Sequence, residues 1–479
     1  MMGYIEGQNR SQITLFPESI DQYIAEDSAV RVIDAFIDGL DLVALGFDKA
    51  QPKATGRPPY DPRDLLKLYV YGYLNRVRST RLLEREAQRN VEVMWLVKRL
   101  RPDFKTIADF RKDNGAAIRR VSREFIVFCR RLDLLGGELV AIDGSPFKAV
   151  NSRDRNYTEA KLKHQLKQVD STIARYLQAL DAHDRDEEDD PPPPAGKVKA
   201  ALAVLKAKRG QLQGLLERLG HTHATQVSLS DPDARYLSRR RSGRGLVGYN
   251  VQTAVDAKHS LIAAFDVVNA VTDKDQLAPM AQHAQRALGR EGFTVVADAG
   301  YYHGAQIKAC VEAGVTPYVP AVNTSSNRHR GLYGKERFHY DAKRDAYRCP
   351  AGETLRHRYT VSLRGQQTKL YETGACAQCA SRSQCTWRKR GNRRIGRWVD
   401  EQVLEAMAQR VAAHPEKLKQ RRSIVEHPFG TIKRSMDQGY FLMKRLVNVR
   451  TEMSLTVLAY NLKRVINILG TERFLAAMA

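Results

Sequence analysis

Two short apolar runs, each closed by an aspartate, constrain the fold of this chain more than anything else in it. They are Leu139-Val-Ala-Ile142 before Asp143, and Phe293-Thr-Val-Val-Ala297 before Asp298. Such runs, bounded by glycine or small residues, read as buried strands of the kind found in sheets covered by helices. Gly136-Gly137 precedes the first run, and Gly144 and Ala299-Gly300 follow the two aspartates, so a large ligand can approach the backbone there. Ligands gather at strand ends of α/β sheets, and both carboxylates can therefore converge on one place.

The chain between them supports the same class. Gly248–Asp256 alternates apolar and polar residues as a half-buried strand does, and Leu261–Val268 follows as its hairpin partner. A helix is expected around 276–288, before the second aspartate run. The order strand, strand, strand, helix, strand, with helices later, predicts an α/β sheet of mixed direction. An insert interrupts it. Leu162, Leu166, Val169, Ile173, Tyr176 and Leu180 step by four and three, and Val198, Leu202, Leu205, Leu212, Leu216 and Leu219 form a second apolar series. These predict a coiled-coil hairpin over 158–220, with an acidic tip ending at Asp190 and a proline run, Pro191 to Pro194, that cannot stay helical.

The N-terminal 135 residues read as short helices. Ile20, Tyr23, Ile24, Val30, Ile33, Phe36, Ile37 and Leu40 give the first helical pattern, and a linker with Pro52, Gly56, Pro58 and Pro59 follows. Asp61-Pro62 is an N-cap followed by a first-turn proline. Ser79-Thr80 starts another helix, Asn90 separates it from the next, and Thr106 is expected to cap a long helix through Phe128. Arg76, Arg78, Arg81, Arg85, Arg89, Lys98, Arg99 and Arg101 lie between the apolar positions, as in a helix-turn-helix type of DNA reader. A packing domain with a solvated basic face has the same pattern.

Charge points the same way. Lys and Arg number 78 against 54 Asp and Glu, a net +24, and such a surplus attracts nucleic acid by releasing condensed counterions. No apolar run has the length of a membrane span and Met1–Arg10 lacks the apolar stretch of a signal peptide, so a cytoplasmic protein without membrane contact is expected.

Six cysteines in this length do not make a disulfide framework. Cys349, Cys376, Cys379 and Cys385 lie close together in 321–400, a segment poor in long apolar runs, and can form an all-thiolate structural zinc site. The alternative is four reduced thiols without metal. Cys129 and Cys310 read as buried apolar residues. Trp387 and Trp398 sit among arginines and can stack on unpaired bases, or can simply pack the insert. Gly243-Arg-Gly245-Leu-Val-Gly248 precedes a strand, whereas a dinucleotide fingerprint follows one and opens a helix. His221 and His223 have no third ligand nearby, and no Walker sequence is present.

A third acid, Glu426, begins a late helical segment, Arg421 to Lys433, with Arg422 before it. Three carboxylates form a hard-oxygen site suited to Mg²⁺ or Mn²⁺. Arg422, Glu426 and Lys433 match the last three positions of a Tyr-x2-Arg-x3-Glu-x6-Lys motif, with Lys419 in the tyrosine position, and Asp298-Ala-Gly-Tyr301-Tyr302 matches Asp-x-Gly-Tyr-Tyr. In this combination the chain resembles the insertion-sequence transposases of the DDE type, over nearly its whole length apart from the coiled-coil insert. The resemblance implies a ribonuclease-H-like catalytic core over 136–320 and 401–479, a helical DNA-binding domain over 1–135 and a cysteine-rich insertion over 321–400. It implies that Asp143, Asp298 and Glu426 hold the metals for cleavage at transposon ends and strand transfer into target DNA, on double-stranded DNA and as a homodimer in the complex. Arg422 and Lys433 would hold phosphate oxygens, with Arg81, Arg85 and Trp398 as further DNA contacts. Competing readings are a non-catalytic relic or regulator that only binds DNA, and a nuclease that never joins strands.

Overall fold

The computed structural model describes residues 19–52, 58–151, 155–183, 195–222, 226–238, 245–321, 327, 330–363, 365–388 and 390–478. The expected acidic tip at 184–194, Gly56, His223 and Gly243 lie outside the described residues. The fold divides into two compact units. The first comprises Met1–Gly136, Gly144–Val271 and Glu426–Ala479, and the second Gly137–Asp143 and Thr272–Val425.

The first unit opens with six helices: α1 (Ala29–Asp38), α2 (Pro62–Leu74), α3 (Thr80–Arg89), α4 (Val91–Leu96), α5 (Phe104–Asp113) and α6 (Gly115–Arg131). Asp61 caps α2 as expected, its carboxylate accepting from Arg63 N–H at 2.8 Å. Asn90 ends α3 and caps α4. The long helix expected after Thr106 is instead two helices, and its cap is Asp103, which accepts from the N–H groups of Lys105 and Thr106. Asn114 breaks it. Its side chain donates to Phe110 O and accepts from Asp48 N–H, while a Cβ on Gly115 would lie 2.6 Å from Thr451 Oγ1.

That threonine belongs to the helix Leu446–Leu469, which is buried on all sides from Thr451 to Leu462 and forms the spine of this unit. A helix apolar around its circumference is stable only when surrounded. Phe36 meets Phe125 edge-on at 5.1 Å, and Phe125 and Phe128 pack on Phe474 of the last helix, Thr471–Ala476. On another side, Asn461 brackets the backbone of Ile262, accepting from its N–H and donating to its carbonyl, both at 3.0 Å. The spine is thereby registered on a sheet strand.

The strand β1 (Leu139–Lys148) runs through both units. In the first unit, its latter half lies beside β5 (Leu246–Asp256), which pairs antiparallel with β4 (Arg235–Leu237) and with β6 (Ile262–Val268). A Cβ on Gly248 would fall 1.9 Å from Phe147 O, so only glycine permits this approach. A short antiparallel pair, β2 (Asn156–Thr158) and β3 (Gln226–Ser228), brackets the helices α7 (Glu159–His183) and α8 (Ala195–Thr222). The two helices share a core of Leu162, Val169, Leu212, Leu215 and Leu219, with Leu166, Ile173, Leu205 and Leu216 packed against it. Farther from the strands Tyr176 and Leu177 are exposed while Leu202 of the expected seam is buried.

In the second unit, β1 pairs in parallel with β7 (Thr294–Val296), and β7 in parallel with β8 (Thr316–Tyr318). Helices α9 (Leu277–Leu288) and α10 (Gly304–Glu312) flank β7 in sequence. An antiparallel sheet follows: β9 (His339–Asp341), β10 (Ala346–Arg348), β11 (Thr354–Leu363), β12 (Gln366–Glu372) and β13 (Ile395–Trp398). Its core is small, comprising Phe338, Tyr347, Leu355, Tyr371 and Ile395. Among the described residues no helix is long and apolar enough to cross a membrane.

Candidate active site

The first aspartate does not close its strand. β1 was expected to stop at Ile142, yet it continues through Asp143 to Lys148. β1 lies between β5 and β7 in the strand order; Leu139 to Ala141 pair with β7, and Ala149 N–H, just past the strand, donates to Val247 O at 3.0 Å. Asp298 does follow its strand, and its carboxylate accepts from Gly300 N–H at 2.8 Å to cap the short 3₁₀ turn Ala299–Tyr301.

Strand register brings these two residues together. Ala141 lies opposite Val296 in the parallel ladder, and each aspartate is two residues further along its own chain. Side chains two apart share a face, so the carboxylates project side by side from neighbouring strands. Gly300 keeps the space clear, since a Cβ there would meet Asp298 Oδ1 at 2.9 Å and Asp273 Oδ2 at 3.7 Å. Beneath them Tyr301 is fully buried. Burial pushes its hydroxyl well above the usual range, and the negative charges of Asp273, Asp143 and Asp298 add to this while Arg421 opposes.

Two members of this neighbourhood were not singled out from sequence. Asp273 precedes α9 in a polar turn that carries no motif. Arg421 stands next to the motif arginine, and its Nη1 lies 3.3 Å from Asp143 Oδ2. Both aspartates of the pair are half-buried, so their charge is only partly screened.

Glu426 belongs to the first unit. It does not begin its helix, as expected from the segment Arg421 to Lys433, but lies in the last turns of the helix Pro415–Gly430, where it is exposed like Arg422 one turn earlier. Pro428 lacks an N–H and cannot donate to the preceding turn, and the chain loosens into a π-helical turn, Thr431–Ser435. Lys433 sits in that turn. Its Nζ donates to Ser145 Oγ and, at 2.9 Å, to Pro146 O, and it lies 4.5 Å from the centre of the Phe147 ring.

The four cysteines line one cavity of about 30 Å³, room for roughly one small sphere, together with Arg382 and Arg393. Cys349 is in a tight knuckle closed by Gly352 N–H to Cys349 O, and Cys376 in the 3₁₀ turn Gly374–Gln378, with Cys379 as its C-cap. Cys385 ends the short helix Arg382–Cys385. Burial pushes the Cys385 thiol up, Arg393 opposes, and Cys376, Cys349 and Cys379 push it further, as neighbouring thiols do. Among the described residues, no group of three or more His, Cys, Asp or Glu is set to hold a metal ion as it stands. Cys129 and Cys310 are buried, as expected.

The basic residues divide. Arg81 and Arg85 are exposed on α3, but Arg78 is only 5% exposed and faces the protein interior. Trp398, expected to stack on bases, is buried at 9% exposure with its ring against Gly304, whereas Trp387 is 64% exposed. The burial of Trp398 follows from its place in β13, whose neighbour Ile395 lies in the small core.

Comparison with known proteins decides the family. The transposase DDE domain profile matches residues 222–462, and a transposase domain (DUF772) profile matches residues 18–113. The chain belongs to the DDE transposases. It is a DNA transposase of mixed α/β architecture with a helical N-terminal region, acting as a nuclease and transesterase on DNA. No curated protein compared with it matches. Among solved structures it is similar to a piggyBac transposase synaptic complex with hairpin DNA, at 8% identity and TM-score 0.34, over 94% of this chain and 79% of that one.

Proposed function

We propose that this transposase cleaves DNA at transposon ends and joins them to target DNA at a site built from Asp143, Asp298 and Glu426 on a ribonuclease-H-like core. The observation that carries this is the register of β1 on β7, which sets Asp143 beside Asp298 with Gly300 leaving them accessible. Their half-exposed carboxylate oxygens are hard donors that suit Mg²⁺ or Mn²⁺, which, when bound, would polarise phosphate oxygens and lower the pKa of water. Support for Glu426 comes from Lys433, seven residues on, which is tied to Ser145, two residues past Asp143. Lys433 acts here by holding the strand. Arg422, exposed one turn before Glu426, is the better placed for a phosphate oxygen. Arg81 and Arg85 would contact end DNA from the helical domain 1–135, and paired ends require a homodimer in the complex. Reduced thiols fit a cytoplasmic setting.

The test is Asp298→Ala on DNA carrying the element's flanking sequences, with Mg²⁺. Wild type is expected to cut and join while the variant binds equally and does neither. Equal cutting by both proteins would overturn the assignment, and cutting without joining by wild type would leave a nuclease.

Cys349, Cys376, Cys379 and Cys385 would hold a structural Zn²⁺. Support comes from their shared cavity, from the nearby Arg382 and Arg393, which favour thiolates, and from the five-residue core that a metal would reinforce. Ligation requires the thiols to close inward on the ion. Metal analysis of folded, active protein is expected to give one zinc per chain, and a value near zero would remove the proposal.

A further inference from the structure

The turn between α2 and α3 carries an arginine that no DNA can reach. Its geometry is fixed: Val77 N–H donates to Gly72 O at 2.7 Å, and a Cβ on Gly72 would lie 2.3 Å from Val77 O. From this turn Arg78 extends into the segment Asp437–Met443, which follows the π-helical turn of Lys433. Its guanidinium donates to Tyr440 O at 2.8 Å and Asp437 O at 3.1 Å, and stacks on the Tyr440 ring at 4.4 Å. The same segment is gripped from the spine helix. Glu452, fully buried, accepts from the N–H groups of Leu442 and Met443 and pairs with Arg78 at 3.5 Å. Gln438, 1% exposed, donates to Tyr73 O at 2.7 Å.

The gripped segment runs along the end of β1. Lys148 N–H donates to Gly439 O at 3.1 Å, Phe441 N–H donates to Lys148 O at 2.8 Å, and Phe441 packs on Phe147. All of these groups lie in the first unit. A buried ion pair is a weak source of stability, because desolvation offsets its attraction, so its retention calls for another reason. A pair that holds backbone carbonyls with one partner and backbone N–H groups with the other fixes position.

We propose that Arg78 and Glu452 are positioning residues for catalysis. They clamp the strap Asp437–Met443, and the strap sets the register of the Glu426–Lys433 segment against the strand that carries Asp143. Because Arg78 comes from the turn that starts α3, the helix presenting Arg81 and Arg85, the clamp also joins end recognition to the catalytic strand. The inference rests on the reading that Asp143 and Glu426 are catalytic. A misplacement of about 1 Å at such a site costs on the order of 100-fold in rate.

The experiment uses the full chain, DNA carrying the element's flanking sequences, and Mg²⁺. Cleavage is measured at saturating DNA alongside DNA affinity and hydrogen exchange at 437–443. The variants are Arg78→Lys, which keeps the charge but loses the fork, and the double variant Arg78→Met with Glu452→Gln, which removes both charges of the pair while the buried Arg111 loses the opposing charge of Glu452. Strap amides are expected to exchange faster in both, cleavage at saturating DNA to fall by roughly 10- to 100-fold, and DNA affinity to change by less than about threefold. Arg78→Lys should be the milder. Unchanged cleavage with a loosened strap would overturn the proposal, as would a cleavage loss matched by lost DNA affinity or one with the strap still protected. A wild type that binds DNA but never cuts it would instead sink the catalytic reading, and this inference with it.

Discussion

The aspartate pair and the cysteine quartet lie in the same unit, yet they are held by opposite means. Asp143 and Asp298 take their places from a parallel ladder whose register is fixed residue by residue, Leu139 on Thr294 through Ala141 on Val296. A one-residue slip would turn every side chain to the other face, so the position is enforced by the whole sheet. The cysteines stand on three separate turns around five core residues, and nothing but those turns brings them together. Hard oxygen ligands on a rigid ladder suit an exchangeable catalytic ion, whereas thiolates on turns suit an ion that itself completes the fold. The difference teaches that ligand chemistry and scaffold rigidity are matched: the fold makes one site, and the other would help to make the fold.

The sharpest way to break this contrast is to neutralise the ladder site. Asp143→Asn should lower single-turnover cleavage by about 1,000-fold or more while thermal unfolding stays near wild type, since no core packing is lost. A variant that unfolds early would show that the ladder needs its carboxylate. The opposite profile is expected for Cys379→Ser. Zinc content should drop to near zero and proteolysis within 339–398 should speed up by about tenfold, with the peptides of β1, β7 and β8 unaffected in hydrogen exchange. Loss of protection in both places would erase the distinction.

The two tryptophans sharpen it on a smaller scale. Trp398→Ala should destabilise the second unit by about 3 kcal/mol, because a large buried ring is removed, and Trp387→Ala by less than about 0.5 kcal/mol. Equal effects in denaturant unfolding would mean that Trp398 is not part of the packing. The smallest effect concerns acid. Hydroxyl donation from Tyr371 and Tyr340 holds the Asp345 carboxyl below the usual carboxylate range, with Lys369 assisting and burial opposing. Its folded pKa lies below the unfolded value near 4, so its contribution is full above about pH 4 and fades as pH falls further. Asp345→Asn should therefore weaken the cysteine-rich sheet at neutral pH and flatten its decline below about pH 4, as followed by tyrosine fluorescence.

Much of the molecule was legible in residue order, and the failures are instructive. The cap Asp61-Pro62, the junction at Asn90, the β5–β6 hairpin and the buried runs before both aspartates could be read because short-range chemistry decides them. The continuation of β1 past Asp143 could not, because Gly144-Ser145-Pro146 is a poor strand sequence that becomes one only beside β5. The split of α5 from α6 depended on Thr451, 336 residues distant in sequence, pressing on Gly115. Arg78 was grouped with exposed arginines because composition carries no information on which way a turn faces.

The sequence by itself determined the family, the pair of strand-borne aspartates, the Arg-x3-Glu-x6-Lys run and the clustering of four thiols, since each is a matter of residue type and spacing. Only the tertiary structure decided that Asp143 and Asp298 stand at equivalent places on adjacent strands, that Trp398 is buried while Trp387 is displayed, and that Arg78 clamps a strap. Those facts depend on register and packing between segments hundreds of residues apart, and local chemistry places no constraint on such encounters until the core closes.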